Sequence, residues 1–204
     1  MAVEYRGCRN LVYAEVTTDD NEVSGGYVTG DVKILAPVAE ISKTVETSSE
    51  SHYYDNIAAI NVDSEGSDTV TFTIAIPTDE VLAEISGRVY DQTKKAIIEA
   101  PRKNKYFAVG YIIGEVGEGE QESYVWRYKG SFNIPDETSA TKDNSTTANN
   151  MSLTFTGIYT THNFTNGGGK GVKAPVKAMK VEPSATITES VFFGEVYTPD
   201  TTAE

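Results

Sequence analysis

The chain has 204 residues and a mass of 22.1 kDa, a size that favours one domain. Apolar side chains make up 39% of it, too many for a disordered chain, and a net charge of −13 tells against a protein that grips nucleic acid through its phosphates. A single cysteine, Cys8, excludes an internal disulfide, no apolar run reaches membrane-spanning length, and Met1 to Arg6 lacks the apolar stretch of a signal peptide.

Val, Ile, Thr, Tyr, Phe and Trp fill 78 of the 204 positions, whereas Leu fills four. β-branched and aromatic side chains suit a pleated, half-buried surface, so the chain reads as mainly antiparallel β. Strands are expected at Asn10 to Thr17 and at Asp31 to Val45, the latter broken at Pro37. Glu46 to Asp68 is polar and acidic and reads as a long inter-strand loop carrying Tyr53, Tyr54, Asp55, Asn56 and the run Ile57 to Ile60 at its centre. Side chains of that kind in the middle of a polar segment need something to pack against. From Thr69 to Ile76 the apolar set Val70, Phe72, Ile74 and Ile76 alternates with threonines. Pro77 then ends the strand and a short helix follows over about 78–87. Thr78 stands at its N-cap, Asp79 and Glu80 in its first turn and Gly87 past its end, and Val81, Leu82 and Ile85 form one apolar face.

A weaker strand is expected within Val89 to Ala100. Tyr106 to Val116 is apolar on both faces and reads as a central strand covered on both sides. In Ser123 to Ile134 the aromatic set Tyr124, Trp126, Tyr128 and Phe132 is expected on a buried face, with Ser123, Arg127, Lys129, Ser131 and Asn133 on a wet one. Asp136 to Asn150 reads as a surface loop. Met151, Leu153, Phe155 and Tyr159 form the inward set of the next strand, Asn166 to Gly171 is a glycine-rich turn, and a last strand is expected at Ile187 to Tyr197.

Charge is segregated along the chain. Thr44 to Gly87 holds nine acids and no base; Asn144 to Val181 holds Lys170, Lys173, Lys177 and Lys180 and no acid. One reading is solvated faces; the sharper one is self-complementarity, an acidic surface of one copy meeting a basic surface of the next. Chemistry is sparse. His52 and His162 lie in no catalytic motif, and Gly167 to Lys170 lacks the spacing of a phosphate loop. Asn61, Asp63 and Glu65 imitate the start of a calcium loop whose last position is Phe72. No enzyme, cofactor or metal site is expected.

Several segments, in order, resemble the major tail (tail-tube) proteins of long non-contractile-tailed bacteriophages. They are Gly7 to Ala14, Tyr53 to Asn56, the helix segment Ile76 to Gly87, Tyr106 to Tyr111, Val125 to Phe132, Leu153 to Gly157 and Val191 to Val196. The stretch from Asn133 to Asn150 and the lysine-rich segment from Lys170 to Lys180 depart from the family pattern. The resemblance implies a β-sandwich or barrel with a flanking helix, in which residues 160–204 form a C-terminal extension packing back on the sandwich or on a neighbour. It also implies assembly into stacked hexameric rings around a channel through which DNA passes without specific binding. The implied partners are further copies of the chain, the tape measure protein and the tail-terminator protein, in a virion tail assembled in the bacterial host cytoplasm. In that setting Tyr53, Tyr54, Asp55, Asn56, Ile57 and Ile60 are the expected inter-subunit contacts, and the four lysines their expected basic complement. A carbohydrate- or surface-binding β-sandwich module is the alternative, with Tyr53 and Tyr54 as its platform.

Overall fold

A computed structural model describes residues 4–21, 26–54, 57–117, 119–136 and 150–202. In chain order the elements begin with β1 (Glu4–Asp19), β2 (Tyr27–Thr29), β3 (Lys33–Ile34), β4 (Val38–Tyr54), β5 (Ile57–Ala75) and α1 (Asp79–Ser86). They continue with β6 (Val89–Asp91), β7 (Ala96–Ile98), β8 (Tyr106–Gly117), β9 (Gly119–Phe132) and β10 (Asn150–Gly157). β11 (Asn163–Phe164), β12 (Ala174–Pro175), β13 (Ala178–Val181) and α2 (Glu189–Gly194) complete them. Every strand pairing among the described residues is antiparallel, as the composition predicts.

The main sheet runs β2-β1-β8-β9-β10-β5-β4. β3 pairs with β1, and only Leu35 to Pro37 separate it from β4, so the two ends of the sheet are drawn together. The result is a sandwich-like barrel that no strand pairing closes among the described residues. β1 runs along this sheet as one long, irregular strand. Its pairing with β8 shifts register at two places, and the positive-φ residues Gly7 and Asn10 sit at those shifts, as β-bulges do.

Two apolar clusters lie on the two faces of the sheet. Inside, Leu11, Tyr13, Val70, Phe72, Phe107, Tyr111, Phe132, Leu153 and Phe155 pack together, and Leu82 and Ile85 of α1 close onto them. Outside, Val12, Ala108, Ile112, Tyr124, Trp126 and Tyr128 are covered by Phe164, Val176, Phe192, Phe193, Val196 and Tyr197 of the C-terminal segment. β8 contributes Val109 and Tyr111 to one cluster and Ala108 and Ile112 to the other, the doubly covered strand that its two apolar faces predict. α1 spans nearly the expected residues. Thr78 occupies the N-cap but its side chain makes no capping bond. Gly87 ends the helix at φ 70°, where a Cβ would stand 2.1 Å from the Lys103 carbonyl oxygen.

Four expectations are corrected. First, the loop expected over 46–68 is strand over most of its described residues, the outer parts of β4 and β5, paired from Thr47–Glu65 to Tyr54–Ile57 with one register shift between. A ribbon wet on both faces shows no hydrophobic period, so its strands are invisible to a search for alternation. Second, β9 has no wet face at Ser123 and Arg127, which are buried beneath other elements. Third, a register shift opposite Phe107 and Val109 reverses its alternation, so Phe132 joins the inner cluster while Tyr124, Trp126 and Tyr128 face outward. Fourth, the strand expected at Ile187 to Tyr197 contains α2. Thr188 accepts a hydrogen bond from the Val191 amide, and Phe192 and Phe193 are both buried in the outer cluster. Adjacent strand residues would point to opposite faces. The expected loop at Asp136 to Asn150 falls, over 137–149, outside the described residues.

Candidate functional site: an exposed hairpin arm and its buried anchor

Beyond the Val45–Asp68 pair, β4 and β5 leave the barrel as a two-stranded arm. At ~3.3 Å per residue the stretch from Val45 to Tyr54 reaches roughly 30 Å. β10 pairs with β5 only over Asp68–Ala75, so among the described residues the arm has no third strand. Its cross-strand contacts are polar: Ser48 with Ser64 at 3.0 Å, Ser49 and Ser51 with Asn61 Oδ1 at 3.2 and 3.1 Å, and Ser67 with Glu46 at 3.1 Å. Near the tip Ile57, Ile60 and Val62 are 69%, 52% and 50% exposed. Of the residues expected at an inter-subunit contact, Ile57 and Ile60 are therefore bare. Tyr53 and Tyr54 are placed by backbone alone, pairing with Ala58 and Ile57, while Asp55 and Asn56 lie outside the described residues.

The root of the arm is held by a cluster of buried charges. Asp68, 2% exposed, takes Arg127 Nη1 on Oδ2 at 2.7 Å and Lys177 Nζ on Oδ1 at 2.9 Å, with Lys43 Nζ at 3.4 Å. Arg127 also donates from Nε to the Tyr111 hydroxyl at 3.1 Å. Lys177 also donates to Glu65 Oε1 at 2.7 Å and to the Gly66 carbonyl at 2.9 Å, and it lies over the Tyr159 ring. Burial pushes the Asp68 carboxyl up, but the bonds from Lys177 and Arg127 outweigh it and hold the group below its ordinary range. Lys177 shows the converse: burial works against its charge, yet Glu65 and Asp68 keep its pKa above the ordinary lysine value. The carboxylates of Asp68 and Glu65 thus tie the arm to the barrel wall through Arg127 and to the approach to β13 through Lys177.

This anchor changes the reading of the lysine segment. Lys177, 6% exposed, is consumed inside its own chain and is not part of a basic surface. Lys170 and Lys173 are exposed around the glycine-rich turn, and Lys180 stands on β13 beside Lys43 at the edge of an apolar cavity. The four do not form one patch. The sequence reading missed Asp68, Arg127, Glu65 and Tyr111; the available signal was Arg127 itself, a guanidinium set between Trp126 and Tyr128 in an aromatic strand.

Two further carboxyls act as ties. Asp19 accepts from Lys129 and from the Thr161 and His162 amides, joining β1 to the C-terminal segment. Glu84 of α1 accepts from Lys33 at 2.7 Å and from the Tyr13 hydroxyl at 2.8 Å. Burial raises both, and the hydrogen bonds bring both below the ordinary range. As pH falls the unfolded chain therefore takes up protons before the folded one does, and stability drops. We expect denaturation midpoints to be flat from neutral pH down to about 5 and to fall below about 4, where the unfolded carboxyls titrate. Asp68→Asn should flatten that fall, and an unchanged acid limb in this variant would count against the anchor.

The remaining candidates for chemistry stand apart. His52 is exposed on the arm, whereas His162 packs edge-on against Phe164 with Nδ1 3.2 Å from the Asp20 carbonyl oxygen. Burial, then Glu40, pushes the Cys8 thiol up and away from nucleophilic reactivity. Among the described residues no group of three His, Cys, Asp or Glu side chains is placed to hold a metal ion, and no helix is long and apolar enough to cross a membrane. No family model and no curated protein matches the chain.

Proposed function

We propose that the chain is a structural protein of a bacteriophage tail that self-assembles into stacked rings, most simply hexameric, forming a tube through which DNA leaves the virion. The observation that carries this reading is the arm. A two-stranded ribbon standing alone in water is marginal at best, because it pays backbone ordering without burying apolar surface. Among the described residues its two long edges are unpaired, the arrangement that invites further strand pairing. Ile57, Ile60 and Val62 are bare on it, and its root is fixed by a buried charge cluster rather than left to swing. An apolar-tipped projection that the described residues of its own chain leave uncovered fits an element completed by other copies.

The acidic balance supports a conduit. A wall of the same sign as the phosphates offers DNA no strong site at which to stick, so passage is free of specific binding. Tape measure and terminator proteins would meet the tube at its interior and end.

The test is excision of the arm. Replacing Ser49 to Asp63 by Asn-Gly closes the Ser48–Ser64 pair with a two-residue turn and leaves the anchor whole. We expect the intact chain, concentrated and viewed by negative-stain electron microscopy, to form rings or tubes. The excised chain should stay monomeric in light scattering with a melting temperature within a few degrees of the parent. A parent that remains monodisperse monomer at every salt concentration would sink the reading.

A further inference from the structure

A cavity of about 620 Å³ opens on the inner face of the sheet, bordered by β1, β4 and β13. Ile41, Tyr111, Val125 and Met179 make its apolar wall. Among the described residues β4 pairs only with β5 and β13 only with β9, so the strands around the opening are not bonded to one another. Its volume is that of a binding pocket rather than a packing defect. The charged side chains lining it are Lys43, Lys180, Arg127 and Glu40; Arg127 is taken up by Asp68 inside the chain, whereas Lys43, at 3.4 Å from the same carboxylate, and Lys180 are exposed at its edge.

The arm has the opposite character. Near its tip it bares Ile57, Ile60 and Val62, and the carboxylates of Glu50 and Asp63 stand within a residue of Val62 or directly across from it. Between Val45 and Glu65 there is no lysine or arginine. Its own cavity is out of reach. Lys43 marks the arm's root, and the extended ribbon carries the tip roughly 30 Å away from it.

Resting on the reading of the arm as an inter-subunit element, we propose that its receptor is this cavity in a second copy of the chain. Ile57, Ile60 and Val62 of one copy fill the apolar wall, and Lys43 and Lys180 of the next face the arm's carboxylates. Tip and cavity are different surfaces of one chain, so the contact is head-to-tail and propagates into a ring or an open filament instead of stopping at a dimer. Desolvated apolar side chains seated in a pocket supply the affinity, and the charges supply steering and register.

The chain's sole cysteine provides the test, because Cys8 lies at the cavity. Ile60→Cys puts a second thiol on the tip. Oxidation of the assembled variant at alkaline pH should link the introduced thiol of one copy to Cys8 of the next. Every copy then carries one donor and one acceptor, so denaturing gels should show a ladder well beyond dimer. Adding Cys8→Ser should abolish the ladder, and Ile57→Cys repeats the experiment at a second tip position should Ile60→Cys assemble poorly. Polymers that form but give no ladder, or give only dimers that survive Cys8→Ser, would overturn the cavity as receptor while leaving the tube standing. Failure of the parent chain to polymerise at all would overturn both.

Discussion

Trp126→Ala is expected to cost about 3–5 kcal/mol and to loosen the C-terminal segment from the sheet. The indole is fully buried, stacks obliquely on Phe193 at 5.7 Å and donates from Nε1 to the Phe192 carbonyl oxygen at 2.8 Å. Its floor is Gly110, its cross-strand partner on β8, where a Cβ would come within 3.0 Å of the indole and 2.9 Å of Phe193. The pocket is therefore built for a flat, wide side chain lying close on bare backbone. Truncation leaves a cavity between β9 and α2 and removes one of the bonds holding α2 down. For a chain of this size the loss corresponds to a fall of about 6–20 °C in melting temperature. Limited proteolysis should then cut within residues 182–202 before the rest of the chain. A loss below about 1 kcal/mol, with the C-terminal segment still protected, would mean that this face is not held through Trp126.

What the sequence made legible follows from what a period can encode. β10 and the inner half of β5 each place one face on the core, so Val70, Phe72 and Ile74 and then Met151, Leu153 and Phe155 are buried as their alternation predicts, whereas Ile76 and Tyr159, expected in the same sets, are exposed because the strands end at Ala75 and Gly157. β8, apolar on both faces, is covered on both. The failures have a different physical origin. The arm was missed because backbone pairing and Ser–Asn contacts hold it, and neither leaves a hydrophobic period. Arg127 was assigned to solvent because its stabilising partner, Asp68, is distant in sequence, and only the fold brings the two charges together. Lys177 looked like its neighbours Lys170 and Lys173 for the same reason. The Val191 to Gly194 stretch has strand-like composition, but two adjacent phenylalanines facing one apolar cluster need a helical turn. Of the candidate site, sequence pointed to the segment and to its bare isoleucines; the anchor that aims it came from the tertiary structure alone.

Asp68→Ala should be as damaging as Trp126→Ala, and through assembly as well as stability. Removing the carboxylate leaves Arg127, 3% exposed, with the Tyr111 hydroxyl in place of its anion, and leaves Lys177 with Glu65 and the Gly66 carbonyl alone. Breaking one side of a buried ion pair costs about 3–5 kcal/mol, because the uncompensated charge stays behind. The partner variant decides whether that is the mechanism. In Asp68→Ala with Lys177→Met the stranded ammonium is gone, so the double variant should lose less than the two single variants added together, with a coupling of about 0.5–3 kcal/mol in urea denaturation. Additive losses would assign the cost to packing rather than charge. The functional consequence is separate from stability. Asp68 is the last paired residue before the arm leaves the barrel, and its three cations come from β4, β9 and the approach to β13. At temperatures where Asp68→Ala is still folded, its arm is no longer aimed, so each docking event must first fix the ribbon's direction. That ordering cost raises the concentration needed for polymerisation, by tenfold for each ~1.4 kcal/mol lost. Light scattering of folded Asp68→Ala at matched concentration should accordingly show delayed or absent tubes; unchanged assembly by the folded variant would show that the charge cluster stabilises the barrel without steering the arm.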